Sequence, residues 1–275
     1  MDACIVRVKY IVWNERFTDG HAEIWKSNCS TFTPTLLYYR FVLLLALDTC
    51  DSRGSIALLS GDVVLGEVSH PQGEDFSSWL LPAVGQLLAD RRVSHADLAG
   101  YAVSSGPGSF TGVRVGLTTA KAWAEVYGKP IFPVSRLTIL AGQTPRGASH
   151  IAAFIDAQRS QIFAALYRRD ASASTTLMEE SVIAPDDFFS QAEGLAGDRL
   201  FWATLDPHIL QASAFAVSHV IPAANLTVVR TPLAAALGLY IAAQPSPIQH
   251  DALSLDANYV RRSDAEIFGK KTAAT

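Results

Sequence analysis

The sequence predicts an α/β protein of two similar lobes, each a mixed β-sheet flanked by helices. Three observations lead there. LLLALDT at 43–49 reads as an apolar strand ending in Asp48, followed by a polar turn at 50–54 and a second strand, SIALLSG. IAAFIDAQRSQIFAALY at 151–167 repeats that plan, with Asp156 in the place of Asp48, as expected of an internal duplication. Between them, SSGPGSFTGVRVGL at 104–117 is a glycine-rich turn that runs from a short buried strand into a helix. The expected lobes are 42–146 and 147–268, with a frayed tail at 269–275.

Residues 1–41 stand apart. They hold two of the five tryptophans and two of the three cysteines, and they carry no motif and little periodicity. Methionine occurs only at 1 and 178, so this stretch is expected to be translated upstream sequence, with the start at an alternative codon such as Val42, or else a lineage-specific extension. After the first hairpin, Asp62 to Val68 reads as a third strand from its β-branched content. Ser77 to Asp90 reads as a helix, with Leu80, Leu81, Val84, Leu87 and Leu88 on one face, Ser77 or Ser78 as cap, and Pro82 in the first turns or at a kink. Leu98 to Val103 is a short buried strand, and Val113, Leu117, Ala120, Ala124 and Tyr127 recur at helical spacing. Further helices are expected at Arg136–Gly142, from Pro185, and over Pro232–Ala243, with a hairpin connection at Arg168–Thr176.

The glycine-rich turn has two chemical readings. Glycines at 106, 108 and 112 permit a tight turn, and free amides at a helix start suit an anion. The order is neither G-x-G-x-x-G nor G-x-x-x-x-G-K-[ST], however, and no lysine opens the helix, so a purely conformational need for glycine stays open beside a phosphate cradle. Gly116 and Ala120 leave a smooth strip on which another helix can approach, inside the fold or between subunits.

Composition bounds the function. With 49% apolar and 17% charged residues, the chain is expected to build a sizeable core and to have apolar surface left over for a partner. A net charge of −4 argues against a large basic footprint for nucleic acid. Cys4, Cys29 and Cys50 form no C-x-x-C pair, which fits a reducing compartment. The apolar run Leu36–Leu47 is interrupted by Arg40 and too short to span a bilayer, so a cytoplasmic location without membrane association is expected. None of the seven histidines stands four residues from another, and no metal site is expected. Ser105 and Ser109 lack a G-x-S-x-G context, and Cys50 reads as a structural thiol.

The run SSGPGSFTGVRVGLTTAKAWA at 104–124 resembles the signature of the bacterial TsaB (YeaZ) family, the dimerisation subunit of the machinery that makes threonylcarbamoyladenosine in tRNA. LLLALDT, DAQRSQIFAALY at 156–167 and YVRRSDAE at 259–266 agree in order, so the resemblance spans about 43–268. The paired Asp-ended hairpins likewise resemble the superfamily of actin, heat-shock chaperones and sugar kinases, which implies a two-lobed actin-like (ASKHA) fold.

The family resemblance implies a non-catalytic subunit that binds and activates a metal-bearing homologous transferase of the TsaD type. A TsaE-type ATPase completes the assembly, tRNA is held through the complex, and a homodimer can form on the same face. It places the partner face on the two helices, at Ser77, Leu80, Leu81, Val84, Leu88, Val113, Gly116, Leu117 and Ala120. It also marks Asp48, Thr49, Gly106, Gly108, Asp156 and Gly197 as a vestigial nucleotide cleft. Relatives carry a G-D-G-like turn where this chain has Gly197-Asp198-Arg199, and Phe76-Ser77 where relatives often show His-Ser. No cofactor of its own is implied; ATP or ADP belongs, if anywhere, at the junction with the partner. Arg261 and Arg262, beside Asp264 and Glu266, read as a partner or RNA contact or as a solvated face. The competing reading is an ATP-dependent kinase or hydrolase, including a glycoprotease-like peptidase, that uses its own cleft.

Overall fold

The apolar strands expected at 43–48 and 151–156 sit at the centres of two separate sheets. The structure is a computed structural model that describes residues 43–170, 174–251, 255 and 260. The expectations for 1–42, the charged pairs at 261–266 and the tail lie outside the described residues.

In the first lobe, β1 (Leu43–Asp48), β2 (Ser55–Ser60), β3 (Val63–Ser69), β4 (Gly100–Ser104) and β5 (Ile131–Val134) form a sheet in the order β3-β2-β1-β4-β5. β1 is antiparallel to β2 and parallel to β4. In the second, β6 (His150–Asp156), β7 (Ile162–Arg169), β8 (Ser174–Ile183), β9 (Leu200–Thr204) and β10 (Leu226–Val228) take the order β10-β9-β6-β7-β8. β6 is antiparallel to β7 and parallel to β9. The two sheets have one topology, as a duplication requires.

The helices are α1 (Phe76–Asp90), α2 (Phe110–Tyr127), α3 (Arg136–Gly142), α4 (Pro185–Ala196), α5 (Pro207–Gln211), α6 (Ala214–Ser218) and α7 (Ala234–Ala242). The helix cap expected at Ser77 or Ser78 lies earlier, at Asp75, and the Ser78 hydroxyl donates back to the Asp75 carbonyl. α2 begins ahead of Val113: Ser109 caps it by accepting from the Gly112 N–H, and Gly128 closes it at φ 62°, a left-handed position natural to glycine.

α1 and α2 cover one face of the first sheet, with Trp79, Leu80, Val84, Leu88, Val113, Leu117 and Ala120 packed on Leu45, Leu47, Ile56 and Leu58. The other face is covered by α7, whose Ala234, Leu237 and Ile241 pack on Leu44, Ala46 and Leu59. α3 does the reverse, with Leu137, Leu140 and Ala141 against Ile151, Ala153 and Tyr167 of the second sheet. Each lobe therefore sends a helix onto the sheet of the other, its last among the described residues, and the lobes belong to one compact unit. Among the described residues, no helix is long and apolar enough to cross a membrane.

Candidate functional site

Asp48 and Asp156 end the central strands of the two sheets, and the same local rule governs both. Asp48 Oδ1 accepts the N–H of Cys50 (3.2 Å), and Asp156 Oδ1 accepts that of Gln158 (2.7 Å). Each carboxylate thus bends its own hairpin by bonding the backbone two residues on. The lobes differ in what else meets these turns.

In the first lobe the turn is clamped from below by α2. Thr49 Oγ1 donates to the Gly112 carbonyl (2.6 Å), and the Ser109 N–H donates to the Cys50 carbonyl (2.6 Å). A Cβ on Gly108 would strike the Cys50 carbonyl, one on Gly112 the Thr49 carbonyl, and one on Gly116 the Thr49 hydroxyl. Gly106 adopts φ 108°, a conformation that L side chains rarely take. The glycines thus admit the close approach of Thr49 and Cys50 of the same chain. The conformational reading of this loop is the one the geometry supports.

Above the turn lies a line of alternating charge. Arg136, the first residue of α3 and fully buried, stands with Nε 3.3 Å from Asp48 Oδ2, and its Nη1 donates to Asp51 Oδ2 at 2.9 Å. Arg53 Nη2 donates to the same Asp51 oxygen (2.6 Å), and Arg53 Nη1 crosses to Asp206 Oδ1 in the second lobe (2.9 Å). Asp206 Oδ2 in turn accepts the Asp156 N–H (2.9 Å). Burial would raise the Asp51 carboxyl, but Arg136 and then Arg53 bring it down to about 2. Burial opposes the Arg136 charge, and Asp48 followed by Asp51 more than offsets it, so the guanidinium is held firmly protonated. Burial, helped by Asp48, pushes the Cys50 thiol well up, so it is protonated and unreactive.

The sequence-predicted cleft residues separate into two groups. Asp48, Thr49, Gly106 and Gly108 meet around the first turn, and Asp156 joins them through Asp206 and Arg53. Gly197 does not join them. It precedes β9, whereas Asp206 follows it, and β9 runs parallel to β6, so Gly197 lies at the opposite end of the sheet from Asp156. A pocket of about 480 Å³ lined by Thr138, Arg146, Tyr167, Arg169 and Tyr240 likewise opens at the His150 end of β6, away from the carboxylates.

The residues expected at a partner face are also redistributed. Leu80, Val84, Leu88, Val113, Gly116, Leu117 and Ala120 are all buried in the first lobe's own core, with Gly116 against Thr49. An apolar stripe on a surface helix faces its own sheet first. Ser77 and Leu81 do face outward, Leu81 with 54% exposure, and an added Cβ at Gly85 would meet nothing within 4 Å. Phe110 and Val126 of α2 are exposed as well, at 39% and 73%.

Asp51, Arg53, Arg136 and Asp206 were missed by motif reading. Two signals were present. Arg136 opens an apolar helix, where the helix dipole disfavours a cation and so points to a buried acid nearby. LFWATLD at 200–206 is, like 43–48 and 151–156, an apolar run ending in aspartate.

Among the described residues there is no group of three or more His, Cys, Asp or Glu arranged to hold a metal ion. The comparisons with known proteins agree with the fold. The family model "TsaD: tRNA N6-adenosine threonylcarbamoyltransferase" matches residues 64–242. The chain is 38% identical over 125 residues to the tRNA threonylcarbamoyladenosine biosynthesis protein TsaB of Bacillus subtilis, a match covering 46% of this chain and 55% of that protein. It is 32% identical over 165 residues to TsaB of Escherichia coli, covering 59% of this chain and 70% of that protein. A Pseudomonas aeruginosa structure described as similar to peptidase YEAZ superposes with a TM-score of 0.65 at 27% identity, covering 80% of this chain and all of that one. A second, YeaZ from Pseudomonas aeruginosa, gives 0.57 at 27% identity, covering 75% and 99%. With the two-lobed fold of the TsaD family model and TsaB proteins as its relatives, this chain belongs to the TsaB (YeaZ) family.

Proposed function

We propose that this chain is a non-catalytic subunit of the tRNA threonylcarbamoyladenosine machinery. It docks on a metal-bearing TsaD-type transferase and activates it, while a TsaE-type ATPase completes the assembly and tRNA is bound through the complex. One observation supports the non-catalytic part: Asp48, with Asp51 and Asp206 beside it, is already paired with Arg136 and Arg53 of the same chain. A nucleotide with its cation would have to displace a fully buried guanidinium. The glycine loop is consistent with this, because its glycines have a structural use in admitting Thr49 and Cys50. ATP or ADP, where it enters the cycle, is then bound at the junction with the partner. The pathway itself follows from the TsaB names of the relatives.

Docking uses the outward side of α1 and α2, with Leu81 as an apolar anchor and Ser77, Ser78 and Gly85 as small neighbours that let a helix come close. Leu81→Asp is expected to weaken binding to the TsaD-type subunit at least tenfold in analytical ultracentrifugation, with the melting temperature unchanged, because Leu81 lies outside the core. Full-strength binding by a folded Leu81→Asp would remove this face from the proposal.

A further inference from the structure

The line Asp48–Arg136–Asp51–Arg53–Asp206 runs from the core of the first lobe to the end of the second lobe's sheet, and its exposure rises as far as Arg53 and falls again to 11% at Asp206. Asp48 and Arg136 side chains are fully buried, whereas Asp51 is 23% and Arg53 35% exposed. Arg136 belongs to the first lobe by its backbone, whose N–H donates to the Gly106 carbonyl (2.7 Å). From Leu137 onward the same helix packs on the second sheet, so Arg136 stands where the chain crosses between lobes. The return crossing is pinned on the first lobe as well: the N–H groups of Leu233 and Ala234, at the start of α7, donate to Ser55 Oγ.

We propose that this ion line is an interlobe clasp, with Arg53–Asp206 as the rung that parts when the lobes open. The inference rests on geometry and is independent of the tRNA reading. The inner rungs cannot part first, because separating Arg136 from Asp48 leaves a fully buried carboxylate with neither solvent nor a cation. The outer rung is hydrated on its Arg53 side, and Asp206 keeps the Asp156 N–H as a second partner, so its loss costs less than that of an inner rung and its strength falls with salt. Asp206 makes the rung directional. One oxygen takes Arg53 and the other the Asp156 N–H, so Arg53 reaches both turns of the second lobe's cleft wall through a single carboxylate.

The test is hydrogen–deuterium exchange of the full chain, comparing wild type, Arg53→Met, Asp206→Asn and the double variant. Asn at 206 keeps an acceptor for the Asp156 N–H and removes the charge. The clasp predicts faster exchange at 50–54 and 156–158 in each single variant, roughly three- to fivefold, as expected of a pair worth up to about 1 kcal/mol. Because Arg53 also holds Asp51, it predicts that the double variant exchanges no faster than Arg53→Met, and that 1 M salt accelerates wild type toward the variants. Exchange unchanged in both single variants, effects that multiply in the double variant, or acceleration spread evenly over both sheets would overturn it.

Discussion

Replacing Arg136 with methionine is expected to destabilise the chain by about 3–5 kcal/mol, the range for removing one partner from a buried ion pair. Arg136 and Asp48 have no exposed side-chain surface, so water cannot take over from the guanidinium. Methionine fills similar space, and the loss measured by chemical denaturation is therefore electrostatic rather than a cavity effect. The pH response separates the two. In wild type, Asp51 is held at about 2, below its ordinary 3.8, so its contribution is complete above about pH 4 and disappears as the pH falls through 2. Without Arg136, burial is less opposed and Asp51 takes up its proton at higher pH in the folded state. The variant should then lose less stability than wild type as the pH falls from about 4 to 2, because Arg53 alone still holds the Asp51 carboxylate. Combining Arg136→Met with Asp48→Asn and Asp51→Asn should recover most of the loss. A single variant as stable as wild type at pH 7 would show that the line is not a stabilising network.

Gly112→Val is the second large effect. Its Cβ would stand on the Thr49 carbonyl oxygen, a backbone atom that cannot rotate away, while the Gly112 carbonyl accepts the Thr49 hydroxyl. Either α2 moves off the sheet or the first turn is pushed toward Arg136. A loss on the order of 3 kcal/mol or more is expected, seen as a melting temperature lower by roughly 6–12 °C for a chain of this size. Gly85→Ala in α1 is the control. It faces open space, and should stabilise by about 0.5–1 kcal/mol through helix propensity alone. Equal behaviour of the two variants would mean that the approach of Thr49 to α2 is not what glycine is needed for.

Much of the fold was legible in sequence for a physical reason. Central strands buried on both faces read as uninterrupted apolar runs, and the Asp-ended runs at 43–48 and 151–156 announced both sheets and their equivalence. Short or half-exposed strands gave less signal. β5 is four residues with a proline, β10 is three residues, and β8 is exposed or half-exposed throughout, so none showed a usable pattern. The exchange of α3 and α7 between lobes is a tertiary fact with no local signature.

The candidate site was legible in its backbone and not in its charges. The glycines and strand-end aspartates have fixed sequence spacing, whereas Arg53 and Asp206 meet across 153 positions and Arg136 and Asp51 across 85. The burial of most residues expected at the partner face has a different cause. Periodicity identifies a helix's apolar stripe, and here that stripe belongs to the lobe's own core, leaving the outward side to small and isolated residues such as Leu81 and Gly85.

The most direct test of the central claim is threonylcarbamoyladenosine formation on unmodified tRNA by purified TsaD-type and TsaE-type subunits with activated donor, with and without this chain. ATP turnover by the chain alone is measured in parallel. The account predicts that product depends on the chain and that the isolated chain hydrolyses no ATP. Equal product in its absence, or steady turnover by the chain alone that Asp48→Asn abolishes, would contradict it.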